Sequence, residues 1–310
     1  MNTIKKVKEF NKSIIGSFFY DYDLKKTNWF GLGGAADFFF KPNSLNELIT
    51  FVKTFNQDFP IKIIGAGSNI LIRDGGFKGA IIKLGKNFSN ISKLNDTTLI
   101  CGASALDRKL SEFAMEQGIE GFEFLSCIPG TIGGAIRMNS GCYSNDISKC
   151  LISIQVVNKS GSIQSINAKQ INFFYRGSDL PKEQIFLSAT FKGKKNDKNT
   201  IKKAIKDMID KKKSSQPFGI KTGGSTFKNP TNQTPKKSWQ LIKESGCGRF
   251  RVGDAAISNK HPNFFVNNGN ASSQDMEDLI TKVKEEIFKK TGVTLNLEIE
   301  IIGINKWKKK

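Results

Sequence analysis

Glycine placement constrains this chain more than any other feature. Phe124-Leu125-Ser126-Cys127-Ile128-Pro129-Gly130-Thr131-Ile132-Gly133-Gly134-Ala135-Ile136-Arg137-Met138-Asn139 sets three glycines between apolar runs, with no helix-capping pattern and no Lys-Ser/Thr pair after it. Gly130, Gly133 and Gly134 let backbone N–H groups approach a ligand closely or take up positive φ. On this segment alone, a loop cradling an anionic cofactor and a series of tight turns are equally served.

A second loop shifts the balance toward a ligand. Phe59-Pro60-Ile61-Lys62-Ile63-Ile64 reads as a buried strand running into Gly65-Ala66-Gly67-Ser68-Asn69 and then Ile70-Leu71-Ile72. Ile70 stands where a dinucleotide fingerprint would have its third glycine, and a β-like run follows instead of a helix. No Gly-Lys-Ser/Thr occurs, so a Walker loop is excluded. The loop still offers consecutive backbone donors, the Ser68 hydroxyl and the Asn69 amide, enough for a strand–loop–strand nest around a pyrophosphate. A third cluster, Gly31-Leu32-Gly33-Gly34, precedes Ala35-Ala36-Asp37-Phe38-Phe39-Phe40.

At 310 residues the chain has room for two or three lobes with their own cores. Its formal charge of +20 comes from 48 Lys+Arg against 28 Asp+Glu. The lysines are scattered, with short runs at Lys211-Lys212-Lys213 and Lys308-Lys309-Lys310, so we read a general surface bias that helps capture anions and expect no nucleic-acid partner. The five cysteines form no C-x-x-C pair and His261 is the single histidine, which argues against disulfide frameworks and metal sites. Residues 1–12 lack the apolar core of a signal peptide, and no run reaches the ~18 apolar residues of a membrane span. The expectation is a cytoplasmic monomer that does not touch membrane.

Along the chain, Ser44-Leu45-Asn46-Glu47 reads as a capping box opening a helix whose apolar face holds Leu45, Leu48, Ile49, Val52 and Phe55. Leu106, Leu110, Phe113 and Ala114 suggest a helix stopped at Gly118. Ile152 to Val157 and Ile163 to Ile166, joined by Lys159-Ser160-Gly161, read as a hairpin. A helical face at Ile201, Ala204, Ile205, Met208 and Ile209 ends in a polar stretch, 211–217, taken as a domain boundary. Later come a short helix at Trp239 and Ile242 closed by Gly246, a strand at Phe264-Phe265-Val266, a helix capped by Ser273 with Gly292 past its end, and a final strand over 295–302. The irregular alternation predicts an α+β class.

Few residues carry obvious chemistry. His261 alone suits a structural role. Ser225, in Thr222-Gly223-Gly224-Ser225-Thr226, is not a hydrolase elbow, and by itself reads as a turn-capping serine with room for a bulky neighbour. Arg176, inside the apolar run 171–178, needs an anionic partner or a path to solvent. Glu298 lies on one face of the last strand with Asn296 and Glu300, where carboxylates are ordinarily solvated.

Taken in order, these motifs resemble the UDP-N-acetylenolpyruvoylglucosamine reductase family over about 28–303. The match runs through Trp29-Phe30-Gly31-Leu32-Gly33-Gly34-Ala35-Ala36-Asp37, Gly65-Ala66-Gly67-Ser68-Asn69-Ile70-Leu71, Ile128-Pro129-Gly130-Thr131-Ile132-Gly133-Gly134-Ala135, Tyr175-Arg176, Gly224-Ser225-Thr226-Phe227-Lys228-Asn229-Pro230 and Leu297-Glu298-Ile299-Glu300-Ile301-Ile302-Gly303. The first motif departs from the family pattern at Gly31, where an arginine is usual.

The resemblance implies a two-lobed FAD-binding domain like that of the vanillyl-alcohol oxidase (PCMH-like) group, lobes 1–90 and 91–213, plus an α+β substrate-binding domain at 214–310. It implies FAD held along Gly65, Ala66, Gly67, Ser68 and Asn69 and along Ser126, Ile128, Pro129, Gly130, Thr131, Gly133 and Gly134. The lone histidine lies in the last third of the chain, so the FAD is expected to be non-covalent. The short interval from Arg176 to Ile185 matches the subtype without an extra substrate loop. NADPH as co-substrate and UDP-N-acetylglucosamine enolpyruvate as substrate follow from the same resemblance. Arg176, Ser225 and Glu298 are the implied catalytic residues, and Tyr175, Lys228 and Asn229 the implied substrate contacts. No metal is implied. The alternative is another FAD-dependent oxidase of the same fold.

Overall fold

Apolar spacing and glycine stops produce most of the elements in the computed structural model, which describes residues 3–306. The chain forms two compact units. The first comprises residues 1–21, 37–66 and 79–211, and the second 22–36, 67–78 and 212–310. The Lys308-Lys309-Lys310 run lies outside the described residues.

In the first unit, the helix Leu45–Phe55 buries Leu48, Phe51, Val52 and Phe55, while Leu45 and Ile49 are only half-buried. Ser44 caps it by accepting from the Glu47 amide at 3.2 Å. The expected reciprocal bond is absent: the Glu47 carboxylate accepts instead from the Ile15, Gly16 and Asn43 amides. These rings and aliphatics join one core with Phe10, Phe18 and Phe40. They cover a sheet ordered Ser17–Asp23, Ala35–Lys41, Phe77–Ile82 and Ile61–Ile63, whose last two strands run parallel.

A five-stranded sheet in the same unit has the order Ile163–Asn167, Leu151–Val157, Ile185–Lys192, Thr98–Gly102, Ile91–Asn95, all antiparallel. The predicted hairpin is its first pair, with Gly161 at φ +74. The helix Asp107–Glu116 packs Leu110 and Ala114 inward and stops before Gly118 at φ +66. The helix Lys198–Ser215 continues through Lys211, Lys212 and Lys213, so that polar stretch is helical as far as Ser215.

The second unit carries an antiparallel sheet ordered Thr222–Ser225, Phe264–Asn267, Ala255–Ile257, Arg251–Val252. Its core gathers Phe30, Leu71, Phe227, Phe265, Met276, Leu279, Ile280 and Val283. The helix Ser273–Thr291 is capped by Ser272, one residue earlier than expected, in a box with Asp275, and ends at Gly292 with φ 70. Asp74 adds charge to that N-terminus by accepting from the Ser273 and Gln274 amides, each at 3.0 Å. The predicted strand over 295–302 is regular only at Glu300–Ile302, which runs parallel to Ile70–Ile72. Upstream of it, Leu297 makes an isolated bridge to Phe227.

All five cysteines are free thiols. Among the described residues, no helix is long and apolar enough to cross a membrane.

Candidate active site

The glycine-rich segment at 124–139 is more ordered than its composition suggests. A short helix, Ile132–Arg137, follows Thr131, whose hydroxyl accepts from the Gly134 amide. This corrects the loop expected there. The helix survives two glycines because its first turn is bonded to the end of a neighbouring strand. The Ile132 amide donates to Ala105 O and the Gly133 amide to Ala103 O, both at 2.9 Å. A Cβ at Gly133 would lie 3.2 Å from Ala103 O, so close packing favours that glycine. A Cβ at Gly65 would collide with the Thr131 hydroxyl, which puts the start of the 65–69 loop directly on Thr131. Gly134 and Pro129 remain exposed, and Ile128 and Gly133 are half-buried. Ser126 spends its hydroxyl proton on Glu123 O at 2.6 Å.

Beneath this segment lies Asp107, which the sequence reading missed. Its amide donates to Gly130 O at 3.2 Å, and a Cβ at Gly130 would sit 2.5 Å from its Oδ2. The side chain is fully buried and neither oxygen has a hydrogen-bond partner. Burial pushes the carboxyl well above the ordinary carboxylate range, and the Gly130 backbone offsets part of the rise. Burial therefore favours the protonated acid.

Arg176 and Tyr175 belong to the same unit. Arg176 takes φ +56, which is uncommon for a side-chain-bearing residue and marks a constrained site. Its Nη2 donates to Gly141 O at 2.8 Å, and its guanidinium carbon lies 5.0 Å from the Tyr175 ring centroid. Asn139, Tyr143 and Ser144 also have positive φ, so residues with strained backbone flank the Gly141 carbonyl that Arg176 grips. Asn139 supports that turn, accepting from the Ser148 amide and donating to Phe174 O. The asparagine closing the glycine-rich segment was the only hint in the sequence.

The second unit assembles Gly67, Ser68, Asn69, Ser225 and Glu298. Gly67 needs its φ of +71, and a Cβ there would collide with Thr27 O. The pairing of Thr222–Ser225 with Phe264–Asn267 slips between Thr222 and Ser225, where Gly223 and Gly224 supply extra length. Such a bulge re-aims the following side chain. Gly224 has φ +79, and its absent Cβ leaves a space whose nearest atom is Ser68 O at 4.0 Å. Ser225 beside it is half-buried. The Glu298 amide donates to Thr226 O at 2.8 Å, and the Asn69 side chain donates to Glu298 O at 3.0 Å. Glu298 is half-buried, just before the regular strand.

Lys228 and Asn229 follow on the same segment. The Lys228 amide donates to Asn296 O at 2.9 Å, and the Asn229 side-chain oxygen accepts from the Ser238 amide at 3.1 Å. Asn229 therefore also anchors the helix Ser238–Glu244. His261 has the structural role expected: its Nδ1 accepts from the Asn263 amide and its ring meets Phe264 edge-on at 4.8 Å.

Within each unit these residues fit a flavin dinucleotide. Open glycine backbone at Gly134 and the space at Gly224 give close approach without steric cost, and Gly67-Ser68-Asn69 offers amide and hydroxyl donors for phosphate oxygens.

Comparison with known proteins gives two profile matches, an FAD binding domain over residues 36–167 and the C-terminal domain of UDP-N-acetylenolpyruvoylglucosamine reductase over 216–302. A UDP-N-acetylenolpyruvoylglucosamine reductase from Pelagibacter ubique is 50% identical over 300 residues, covering 97% of this chain and 99% of that protein. One from Rickettsia bellii is 44% identical over 288 residues, covering 93% and 94%. The crystal structure of the Thermus caldophilus UDP-N-acetylenolpyruvylglucosamine reductase superposes with a TM-score of 0.80 at 30% identity, covering 93% of this chain and 99% of that one.

Proposed function

Since the chain belongs to the UDP-N-acetylenolpyruvoylglucosamine reductase family, we propose that it uses NADPH to reduce UDP-N-acetylglucosamine enolpyruvate to UDP-N-acetylmuramate, with Ser225 as proton donor. It is an FAD-dependent oxidoreductase of peptidoglycan precursor synthesis. In this reading it works as a cytoplasmic monomer. The observation that carries the chemical assignment is the second-unit cluster, where a glycine bulge aims Ser225 and backbone bonds tie Glu298 to both Thr226 and Asn69.

FAD, held non-covalently by the 65–69 and 126–134 loops, would supply the hydride-transfer chemistry that links NADPH to the methylene carbon of the enolpyruvyl ether. The chain's residues handle the charge that results. Negative charge grows on the substrate carboxylate as an aci-carboxylate, so a guanidinium placed on it lowers the barrier. Arg176 fits that role because its left-handed backbone and its bond to Gly141 O fix the fork before substrate arrives. Glu298, protonated or through a water, polarises the same carboxylate. Ser225 then gives its proton to the carbon bearing the carboxylate, completing addition of two hydrogens across the double bond. A serine is acid enough only against a strongly basic carbon in a site closed to water. Tyr175, Lys228 and Asn229 hold the UDP-sugar.

The test is NADPH oxidation by the purified protein with and without UDP-N-acetylglucosamine enolpyruvate. The reading expects substrate-dependent oxidation and a product heavier by two hydrogens. Oxidation that ignores the substrate would overturn it.

A further inference from the structure

In the second unit, Ser225 and the pair Lys228-Asn229 are half-buried and stand at the two ends of a buried dipeptide, Thr226-Phe227. Thr226 is 0% and Phe227 1% exposed. We propose that Asn263, outside this segment, is a positioning residue for the reaction, fixing the Ser225 hydroxyl through the backbone of Thr226 and Phe227. The proposal rests on the reading of Ser225 as proton donor.

Pairing of Thr222–Ser225 with Phe264–Asn267 ends where Ser225 stands opposite Phe264. There the partner chain leaves the sheet. The Phe264 amide donates to His261 O at 2.9 Å and the Ser258 amide to Phe264 O at 2.8 Å, which closes the loop 258–264. The Asn263 carbonyl still accepts from the Thr226 amide at 2.8 Å. Its side chain then takes the part of the next peptide group in the ladder. Oδ1 accepts from the Phe227 amide at 3.0 Å, and Nδ2 donates to Phe227 O at 2.8 Å. A carboxamide can do this because it carries a donor and an acceptor in one plane, as a peptide does. Asn263 is 4% exposed, and its own amide donates to His261 Nδ1 at 3.3 Å.

The other edge of the segment is bonded as well. Thr226 O accepts from the Glu298 amide at 2.8 Å, and the Lys228 amide donates to Asn296 O at 2.9 Å. The residues after Ser225 are thus stitched between Asn263 and 296–298. A buried asparagine bonded to backbone supports the fold wherever it sits. What distinguishes Asn263 is that both of its side-chain bonds go to one residue, two positions from Ser225. Without the carboxamide, the N–H and C=O of a buried residue lose their partners, and the segment must shift to find others. Such a shift carries Ser225 with it, and a misplacement of about 1 Å can cost about 100-fold where geometry sets the rate.

The experiment follows the flavin-loaded full chain by anaerobic stopped-flow absorbance, first reduced by NADPH and then reoxidised by UDP-N-acetylglucosamine enolpyruvate. Four proteins are compared: wild type, Asn263→Ala, Ser225→Ala and the double variant. Asn263→Ala should leave flavin reduction within about twofold of wild type and slow reoxidation by about tenfold or more. Because Asn263 acts through Ser225, adding Asn263→Ala to Ser225→Ala should slow reoxidation further by less than about twofold, whereas a general loosening of the fold would lower the rate by the same factor in both backgrounds. Flavin content reports folding. Asn263→Asp, which keeps the volume and the acceptor for the Phe227 amide but not the donor for Phe227 O, replaces the alanine variant if that one loses flavin. Wild-type reoxidation in the Asn263 variant, equal losses in both half-reactions, or the full loss repeated in the Ser225→Ala background would overturn the proposal, with the donor reading judged on Ser225→Ala alone. Unchanged reoxidation in Ser225→Ala would overturn the donor reading and the proposal with it.

Discussion

The Asn69 side-chain amide donates to the backbone carbonyl of Glu298 at 3.0 Å, while the Asn69 carbonyl accepts from the Glu300 amide at 2.9 Å. A residue of the second glycine loop thus clamps both a candidate catalytic carboxylate's backbone and the start of the strand that follows it. Asn69→Ala removes a bond worth about 1 kcal/mol and frees Glu298 to drift. Reduction of the enolpyruvyl substrate should slow by about tenfold or more, with flavin content as the control for folding. A variant that binds flavin and turns over at the wild-type rate would show that Glu298 does not need the clamp.

Ser225 follows the bulge at Gly223 and Gly224. In Ser225→Ala, NADPH should still reduce the flavin, but reoxidation by the enolpyruvyl substrate should slow by about 100-fold or more. Stopped-flow absorbance separates the two half-reactions. Equal losses in both would remove Ser225 from the role of proton donor.

Asp107 is buried without a hydrogen-bond partner, and its proton affinity is raised by burial. In the unfolded chain it ionises near about pH 3.9, while the folded chain keeps the proton to higher pH. Below the unfolded value the group costs nothing. As pH rises from there toward the folded value, stability falls, and the loss persists above it. Asp107→Asn removes this dependence and should be the more stable protein at neutral pH. Denaturant melts between about pH 4 and about pH 8 check this. Parallel curves for the two proteins would mean that the buried acid is ionised.

Arg176 combines a strained backbone with a bond to Gly141 O. Arg176→Lys keeps the charge but loses the planar fork, so turnover of the enolpyruvyl substrate should fall by more than about 100-fold while NADPH still reduces the flavin. Substantial activity in the lysine variant would show that charge alone suffices.

Local sequence signals located the glycine loops and most helices, because Ser44 caps with its own hydroxyl and Gly118, Gly161, Gly246 and Gly292 act through their own backbone. They failed where tertiary bonding decides. Ile132–Arg137 contains two glycines, poor helix formers, and is supported by carbonyls of Ala103 and Ala105 that no local pattern reveals. Glu298 was placed in a regular strand because 295–302 alternates, yet its amide is taken by Thr226 O and pairing with Ile70–Ile72 begins only at Glu300. Asp107 looks like an ordinary acid in a first helical turn, and only the folding of Gly130 over it makes it a buried group. The site motifs were legible as an ordered set through family resemblance; singly, Ser225, Arg176 and Glu298 would have passed for a turn serine, a snorkelling arginine and a solvated carboxylate.

The most direct test is the visible spectrum of the purified protein, followed anaerobically on adding NADPH and then UDP-N-acetylglucosamine enolpyruvate. The account predicts a flavin spectrum that bleaches with NADPH and returns with the second addition. A colourless protein that cannot be reconstituted with FAD, or a bleached flavin that the enolpyruvyl substrate leaves bleached, would contradict it.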